Sequence, residues 1–156
     1  MNTELQSAYG SDVRDSLSHP TRENVERLEF AILQTPQVDL KTTHALSGGV
    51  YARTIHIPAG TVLTGASHKK DHIDIMQGDI TVSTDDGMRR LIGQHVLESK
   101  AGNKRVGFAH SDTTWTTICQ TNLTDLNDIE AELVEEPEKL QTRNLELAQQ
   151  RMIKDS

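Results

Sequence analysis

Short β-rich segments separated by turns occupy residues 38–119 and constrain the fold more than any other feature of the chain. Nine such segments occur, with turns rich in Gly, Asp and Asn between them. They are VDL, VYARTIHI, TVLTG, HIDIM, ITVST, RRLIG, HVLES, KRVGF and WTTIC. The clearest hairpin signal is Asp85-Asp86-Gly87, because a tight turn with positive φ favours Gly. Strands this short, with turns roughly every 8–12 residues, predict a sandwich or small barrel rather than a parallel βαβ fold.

Helical periodicity flanks the β region on both sides. On the N-terminal side, Thr21 is positioned to cap a helix that Pro36 ends. The apolar stripe of this helix consists of Val25, Leu28, Ala31 and Ile32. On the C-terminal side, Thr124 can cap a helix, and Pro137 suits the first turn of a further helical segment, EKLQTRNLELAQQRM. The apolar side of the first C-terminal helix consists of Leu126, Ile129 and Leu133.

These patterns divide the chain into three parts. Residues 1–36 form an N-terminal arm and an amphipathic helix, residues 37–122 a β domain, and residues 123–156 a C-terminal helical segment. Residues 1–20 show no sustained periodicity and are predicted to be an extended arm or a loosely ordered tail, which orders only against another subunit. Because the helical parts can pack either on the β domain or on a partner, we expect a homo-oligomer, a dimer or higher.

The composition excludes several classes of function. The chain carries 23 Asp and Glu residues against 16 Lys and Arg, a formal net charge of −7, which disfavours binding to nucleic acid or to anionic membranes. No apolar run has the length of a signal peptide or of a membrane span. The single cysteine, Cys119, lies in an apolar run and is predicted to be a buried thiol. We therefore expect a soluble protein in the cytoplasm of the producing cell.

The sequence HKKDH holds the densest side-chain chemistry of the chain. It places His68, Asp71 and His72 within five residues, between two predicted strands. Imidazole and carboxylate ligands suit a divalent Zn, Fe, Mn or Ni ion, which needs three or four convergent groups. The best candidate for a further ligand from elsewhere in the chain is His110, in a predicted loop between strands. The alternative interpretation is a polar strand end, with His72 hydrogen-bonded across the sheet and His110 as an exposed turn histidine.

The adjacent cations Lys104 and Arg105 are a second candidate site. Together they could contact an anionic ligand, and the alternative is a solvated strand end. The chain contains no nucleophile elbow, phosphate-binding loop, dinucleotide fingerprint or CxxC pair.

Two stretches of the sequence resemble the conserved motifs of the cupins. PAGTVLTGASHKKDHIDIMQGDITV is similar to the first motif, in which a Gly opens a strand, a histidine-bearing loop follows, and a later Gly closes the hairpin. AGNKRVGFAHSDTTW is similar to the second motif. Over about residues 37–134 the order of segments resembles a small cupin-like family common in tailed bacteriophages and prophages. The resemblance implies a mainly β jelly roll, or double-stranded β-helix, that is often dimeric and holds any ligand inside the barrel.

The sequence departs from the cupin metal motif at two positions. Ala66 stands where the first histidine is expected, and Arg105 stands where the last one is. An arginine cannot ligate a metal cation. The resemblance therefore favours a non-enzymatic, homo-oligomeric protein of phage type, either a virion or assembly component or a binder of a small ligand. The alternative is a metal-dependent enzyme of dioxygenase or isomerase type, with a reduced ligand set drawn from His68, Asp71, His72 and His110.

Overall fold

The β-rich region folds into one curled antiparallel sheet with a helix on either side of it in the chain. A computed structural model describes residues 18–140. The elements in chain order are α1 (Arg22–Leu33), β1 (Thr42–Ser47), β2 (Val50–Ile57), β3 (Val62–Thr64), β4 (His72–Thr84), β5 (Gly87–Ser99), β6 (Val106–Ala109), β7 (Thr113–Gln120), α2 (Leu126–Leu133) and a 3₁₀ turn at Pro137–Lys139. The mainly β prediction with a helix at each end is confirmed. The further C-terminal helix predicted after Pro137 lies mostly outside the described residues.

Strand β4 is the centre of the sheet, whose order is β1-β2-β7-β4-β6-β3. One edge of β4 pairs along its whole length with β5. The other edge pairs with β7 over residues 73–77 and with β6 over residues 80–82. The change of partner between these two segments curls the sheet into half a barrel, so its inner face encloses a space.

A pair of glycines marks the place where β4 changes partner. Gly78 lies opposite Gly93 of β5, and their φ values are 141° and 88°. A Cβ atom at Gly78 would lie 2.4 Å from Oγ1 and 2.8 Å from Cα of Thr113. The prediction that strands end at these glycines is wrong, because the strands continue through them and bend there. The predicted segments HIDIM and ITVST are one strand, and RRLIG and HVLES are another.

The predicted strand VDL is also wrong. Residues 38–40 have no regular structure, and the first strand is TTHALS, Thr42–Ser47. This strand lies at the edge of the sheet and is held by pairing with β2, and five of its six residues are exposed. Because so few of its side chains are buried, it shows no apolar alternation in the sequence.

Helix α1 covers one end of the curled sheet. Its Val25 and Leu28 are fully buried and pack against Val62 and Val106. The predicted cap is confirmed, since Oγ1 of Thr21 accepts a hydrogen bond from the backbone N–H of Asn24. No helix among the described residues is long and apolar enough to cross a membrane.

Helix α2 packs against β2 and β7. Ile129 and Leu133 are buried there with Tyr51 and Cys119, and burial raises the pKa of the Cys119 thiol to about 11. The cap is Asp125, one residue later than predicted, and its carboxylate accepts from the N–H of Asp128 at 3.1 Å. Leu126 of the predicted stripe is 37% exposed.

A substitution at the glycine pair tests the bend in the β4–β5 hairpin. Gly78→Ala should lower the free energy of unfolding by more than about 3 kcal/mol, because its Cβ collides with the backbone of Thr113. Gly93→Ala is the matched control: it meets nothing within 4 Å and bears only the strain of its positive φ, about 1–2 kcal/mol. Urea denaturation of both variants measures the difference. Equal losses in the two variants would contradict the close approach of Thr113.

Candidate functional site

The inner face of the sheet encloses a cavity of about 90 Å³. The register of the strands places its polar side chains in one transverse row, in which Arg53 faces Thr117 and Thr117 faces Asp74. The next inward row along the same strands is apolar, with Ile55 facing Trp115. The further apolar lining consists of Ile57, Leu63, Ile80, Val82 and Val106. The cavity therefore has a polar end and an apolar end.

Asp74 holds the polar end together. The carboxylate is 3% exposed, and it accepts hydrogen bonds from Ser99 Oγ at 2.6 Å and from Thr117 Oγ1 at 2.8 Å. His72 Nε2 lies 3.3 Å from the same carboxylate. Burial alone would raise the pKa of Asp74, but the hydrogen bonds from His72, Ser99 and Thr117 lower it to about 2. Asp74 is therefore ionised and has its oxygens occupied at neutral pH.

Both ring nitrogens of His72 face acceptors. Nε2 faces the Asp74 carboxylate, and Nδ1 lies 3.1 Å from the carbonyl oxygen of Lys70. Neither acceptor carries a proton, so both contacts are hydrogen bonds only when the imidazole holds two protons. Burial opposes this charge, but the bonds to Asp74 and Lys70 raise the pKa of His72. The geometry thus favours an imidazolium paired with Asp74.

His68 lies beside His72 and has the opposite electrostatics. The two ring centroids are 4.3 Å apart. Burial, and after it the charge of His72, lower the pKa of His68 to about 4. His68 is therefore neutral at neutral pH.

Arg105 enters the cavity from the segment that precedes β6. Its guanidinium donates to the carbonyl oxygen of Ser83 at 2.6 Å and to Oγ of Ser99 at 2.7 Å. Its Nε lies 3.9 Å from the Asp74 carboxylate. Arg105 is thus anchored in place and brings a positive charge to the polar end.

Arg53 brings a second guanidinium to the cavity. Its Nε atom is shielded from solvent and has no hydrogen-bond partner among the described residues. Burial lowers the pKa of Arg53, while the charges of Tyr51 and Glu130 oppose this. Strand β7 lies between Arg53 on β2 and Asp74 on β4, so the backbones of the two residues are two strand spacings, about 9.6 Å, apart. Their side chains form no direct ion pair. A buried donor without a partner costs stability and commonly marks a site for a ligand or water.

The structure brings only some of the predicted site residues together. His68, His72 and Arg105 line the cavity. Asp71 is 64% exposed outside it and binds the backbone N–H of Ala101 and the ammonium of Lys100. These two partners hold its carboxylate away from the predicted histidine cluster.

The other two predicted residues also lie away from this cavity. His110 is exposed, and its Nε2 lies 2.7 Å from Oγ1 of Thr81. Lys104 turns to the opposite side of the chain from Arg105, where its ammonium pairs with Glu29 of α1 at 2.7 Å. Neighbouring residues in an extended segment point to opposite faces, which separates the predicted Lys104–Arg105 pair.

Sequence reasoning missed Asp74 and Arg53. The signal for Asp74 was present in HIDIM, since His72 and Asp74 are two residues apart and must share one face of a strand. The signal for Arg53 was its place in VYARTIHI, in phase with Tyr51 and Ile57, which the structure buries. A charge in phase with the apolar face of a strand is a candidate functional residue.

A metal ion does not fit the polar end as it stands. His72 directs an N–H at each acceptor, and the Asp74 oxygens are occupied by hydroxyl and imidazole donors. The two guanidiniums of Arg53 and Arg105 would repel a cation. Within residues 18–140, no group of three or more His, Cys, Asp or Glu side chains is placed to hold a metal ion.

A larger cleft of about 170 Å³ lies between α1, the sheet and the segment after α2; Arg53 lines this cleft as well, and the other charged residues of its lining are paired. Glu29 pairs there with both Lys104 and Lys139, and Arg22 pairs with Glu135 at 2.6 Å. Thr64 also donates to Glu29. These contacts fasten α1 to β3, to the segment before β6 and to the segment after α2. The smaller cavity inside the barrel, where Asp74, His72 and Arg105 also converge, is the better candidate for a ligand site.

Comparisons with known proteins find similarity of fold only. No protein-family model and no curated protein matches the chain. Among solved structures, a cupin superfamily protein from Desulfitobacterium hafniense is 17% identical, with 61% of this chain and 88% of that chain covered and a TM-score of 0.45. Ectoine synthase from P. lautus is 16% identical, with 63% of this chain and 75% of that chain covered and a TM-score of 0.45. KdgF from Halomonas sp. is 15% identical, with 62% of this chain and 94% of that chain covered and a TM-score of 0.44. At these TM-scores the similarity is loose and says nothing about chemistry.

The pKa of His68 predicts how stability depends on pH. The unfolded chain binds a proton at His68 near pH 6.5, and the folded chain binds it only near pH 4. The folded state is therefore destabilised as pH falls from 6.5 to 4, by about 3 kcal/mol at most. His72 contributes in the opposite direction, because its raised pKa adds stability at low pH that is lost as pH rises through the folded value.

Urea denaturation at pH 6.5 and pH 4.5 measures this effect, with His68→Gln as the control. The variant should lose most of the decline in unfolding free energy between the two values. An unchanged decline in His68→Gln would assign the acid sensitivity to another group.

Proposed function

We propose that this protein binds a small organic anion, a carboxylate with a short apolar tail, inside the barrel. The observation that carries the proposal is the shielded Nε of Arg53, which has no partner among the described residues and lines the cavity. A carboxylate is the acceptor that matches the forked donors of a guanidinium.

The charges that line the cavity support an anionic ligand. Asp74 carries the single negative charge among its lining residues, and His72 and Arg105 surround that charge closely. Arg53 then adds a positive charge that no other carboxylate of this lining can neutralise, although Glu130, buried beside Arg53 outside this lining, attracts it. A charge in such a site is stabilised when a ligand of opposite sign enters, because the low polarity of the walls strengthens the attraction.

The shape of the cavity supports a ligand with one charged end. The Arg53–Thr117–Asp74 row is polar, and the Ile55–Trp115 row beyond it is apolar. A volume of about 90 Å³ has room for roughly six to nine non-hydrogen atoms, if each takes about 10–15 Å³. Butyrate and valerate fall in this range.

The same polar end favours binding over metal-dependent catalysis of the dioxygenase or isomerase type. Its imidazole and carboxylate groups are engaged with each other and with hydroxyl groups. The phage-type identity and a role in the virion or in its assembly stay predictions from the sequence resemblance.

Calorimetric titration with butyrate tests the proposal, with butyramide as the neutral analogue. The native protein should bind butyrate and not butyramide, and Arg53→Met should weaken butyrate binding by about 10- to 100-fold through loss of a charge-assisted hydrogen bond. Arg53→Met removes a shielded donor that has no partner and also the attraction of the Glu130 charge, so its melting temperature is measured alongside to show that the variant is folded.

Lys104→Met is the matched control. It removes a neighbouring cation that pairs with Glu29 outside the barrel, so it should lower the melting temperature and leave butyrate binding unchanged. Absence of butyrate and valerate binding in the native protein would refute the proposal. Equal affinity in Arg53→Met, or binding that requires added Zn²⁺, would do so as well.

A further inference from the structure

We propose that β5 pairs with β5 of a second copy of this chain, antiparallel and centred on Gln94, so that the sheet continues across a two-fold axis. The even-numbered side chains of this strand, from Arg90 to Glu98, do not line the cavity, so the dimer would form with or without the ligand.

Strand β5 offers a long open edge. It runs over 13 residues, Gly87–Ser99, and among the described strands it pairs with β4 alone. A long edge exposes a row of backbone N–H and C=O groups that can pair with another strand. Proteins usually shorten, cover or bend such an edge when pairing is to be avoided. β5 bends at Gly93, beside the proposed axis, but it is long and pairs with no other described strand.

The hairpin geometry shows which residues of β5 direct their backbone groups outward. Thr84 and Gly87 flank the two-residue turn and form the first hydrogen-bonded pair, so odd-numbered residues of β5 bond to β4. Even-numbered residues therefore turn their N–H and C=O groups to the open edge. His95 Nε2 lies 2.9 Å from the carbonyl oxygen of Ile92, as expected when that carbonyl faces away from β4. On pairing, the imidazole would turn aside or share this oxygen, which has two lone pairs.

The outward residues form a self-complementary series. Their side chains share one face of the sheet and all are exposed: Arg90, Ile92, Gln94, Val96 and Glu98. With Gln94 opposite Gln94 of the second copy, Ile92 faces Val96 and Arg90 faces Glu98, and each pair occurs twice. A shift of register by two residues breaks both the apolar pairs and the ion pairs.

The exposure of the apolar members argues against a protected edge. Ile92 and Val96 are each 64% exposed, and Ile73 on the neighbouring β4 is 44% exposed on the same face. Arg90 is held by two hydrogen bonds to Asp79, at 2.7 and 2.8 Å, with 53% of its side chain exposed. Its orientation is thus fixed, and its remaining N–H groups can donate to a second carboxylate, that of Glu98 from the other copy.

Cysteine cross-linking tests the register. Two Gln94→Cys residues across the axis would have Cα atoms about 5.5 Å apart, within the range of a disulfide. Gln77→Cys is the control, since Gln77 is exposed on the same face and pairs with Gln94 but lies one strand further in. Its counterpart would be three strand spacings away, about 14 Å, too far to link. The native Cys119 is buried and adds no background.

Diamide should convert Gln94→Cys to a covalent dimer and leave Gln77→Cys monomeric on a non-reducing gel. Sedimentation of the native chain should give twice the monomer mass of 17.3 kDa. Glu98→Arg should raise the dissociation constant of the dimer about tenfold or more, because it places like charges opposite Arg90 at two positions. Arg90→Glu combined with Glu98→Arg should restore the dimer.

Three results would overturn the proposal. One is a native chain that stays monomeric at high micromolar concentration while its circular dichroism shows it folded, as when another part of the chain covers the edge. Another is a dimer that Glu98→Arg leaves intact and Gln94→Cys does not cross-link, which would place the contact elsewhere. The last is equal cross-linking of Gln77→Cys and Gln94→Cys, which would indicate random collision.

Discussion

The carboxylate of Asp74 is the interaction on which the interior of this protein depends. It lies on the central strand and receives hydrogen bonds from Ser99 of β5 and Thr117 of β7, so one buried charge joins three strands. The same carboxylate faces the His72 imidazole and the Arg105 guanidinium. These contacts keep the pKa of Asp74 at about 2, and they occupy its oxygens, so that the carboxylate is not free to bind a ligand.

The chemistry proposed for the cavity follows from that saturation. Because Asp74 is neutralised by its own neighbours, it neither ligates a cation nor pairs with Arg53, which lies across β7. Arg53 is left with a shielded donor beside apolar walls. A barrel that resembles a metal-binding type in sequence thus presents a positive site, to which a small carboxylate is complementary.

The sequence predicts the turns, caps and apolar stripes of this protein better than it predicts the residues that line the cavity. The Asp85–Gly87 turn, the Thr21 cap and the apolar stripe of α1 are set by neighbours in the chain, and each is found as predicted. The course of β4 through Gly78 depends on the approach of Thr113, which lies far away in sequence. In the site, the strand beginning at His72 turns Asp74 inward and leaves Asp71 outside. Local spacing shows only that His72 and Asp74 share one face of the strand, and the register across three strands decides that this face is the inner one.

The most direct test is the ¹H–¹⁵N spectrum of the guanidinium groups of ¹⁵N-labelled arginine, with the Nε–H resonance of Arg53 assigned through Arg53→Lys. Addition of butyrate should shift this resonance strongly, because a carboxylate would become the missing partner of Nε. Addition of Zn²⁺ should leave both Arg53 and the ring resonances of His68 and His72 in place. If butyrate does not shift the Arg53 resonance and Zn²⁺ shifts the histidine resonances, the proposed anion site is contradicted.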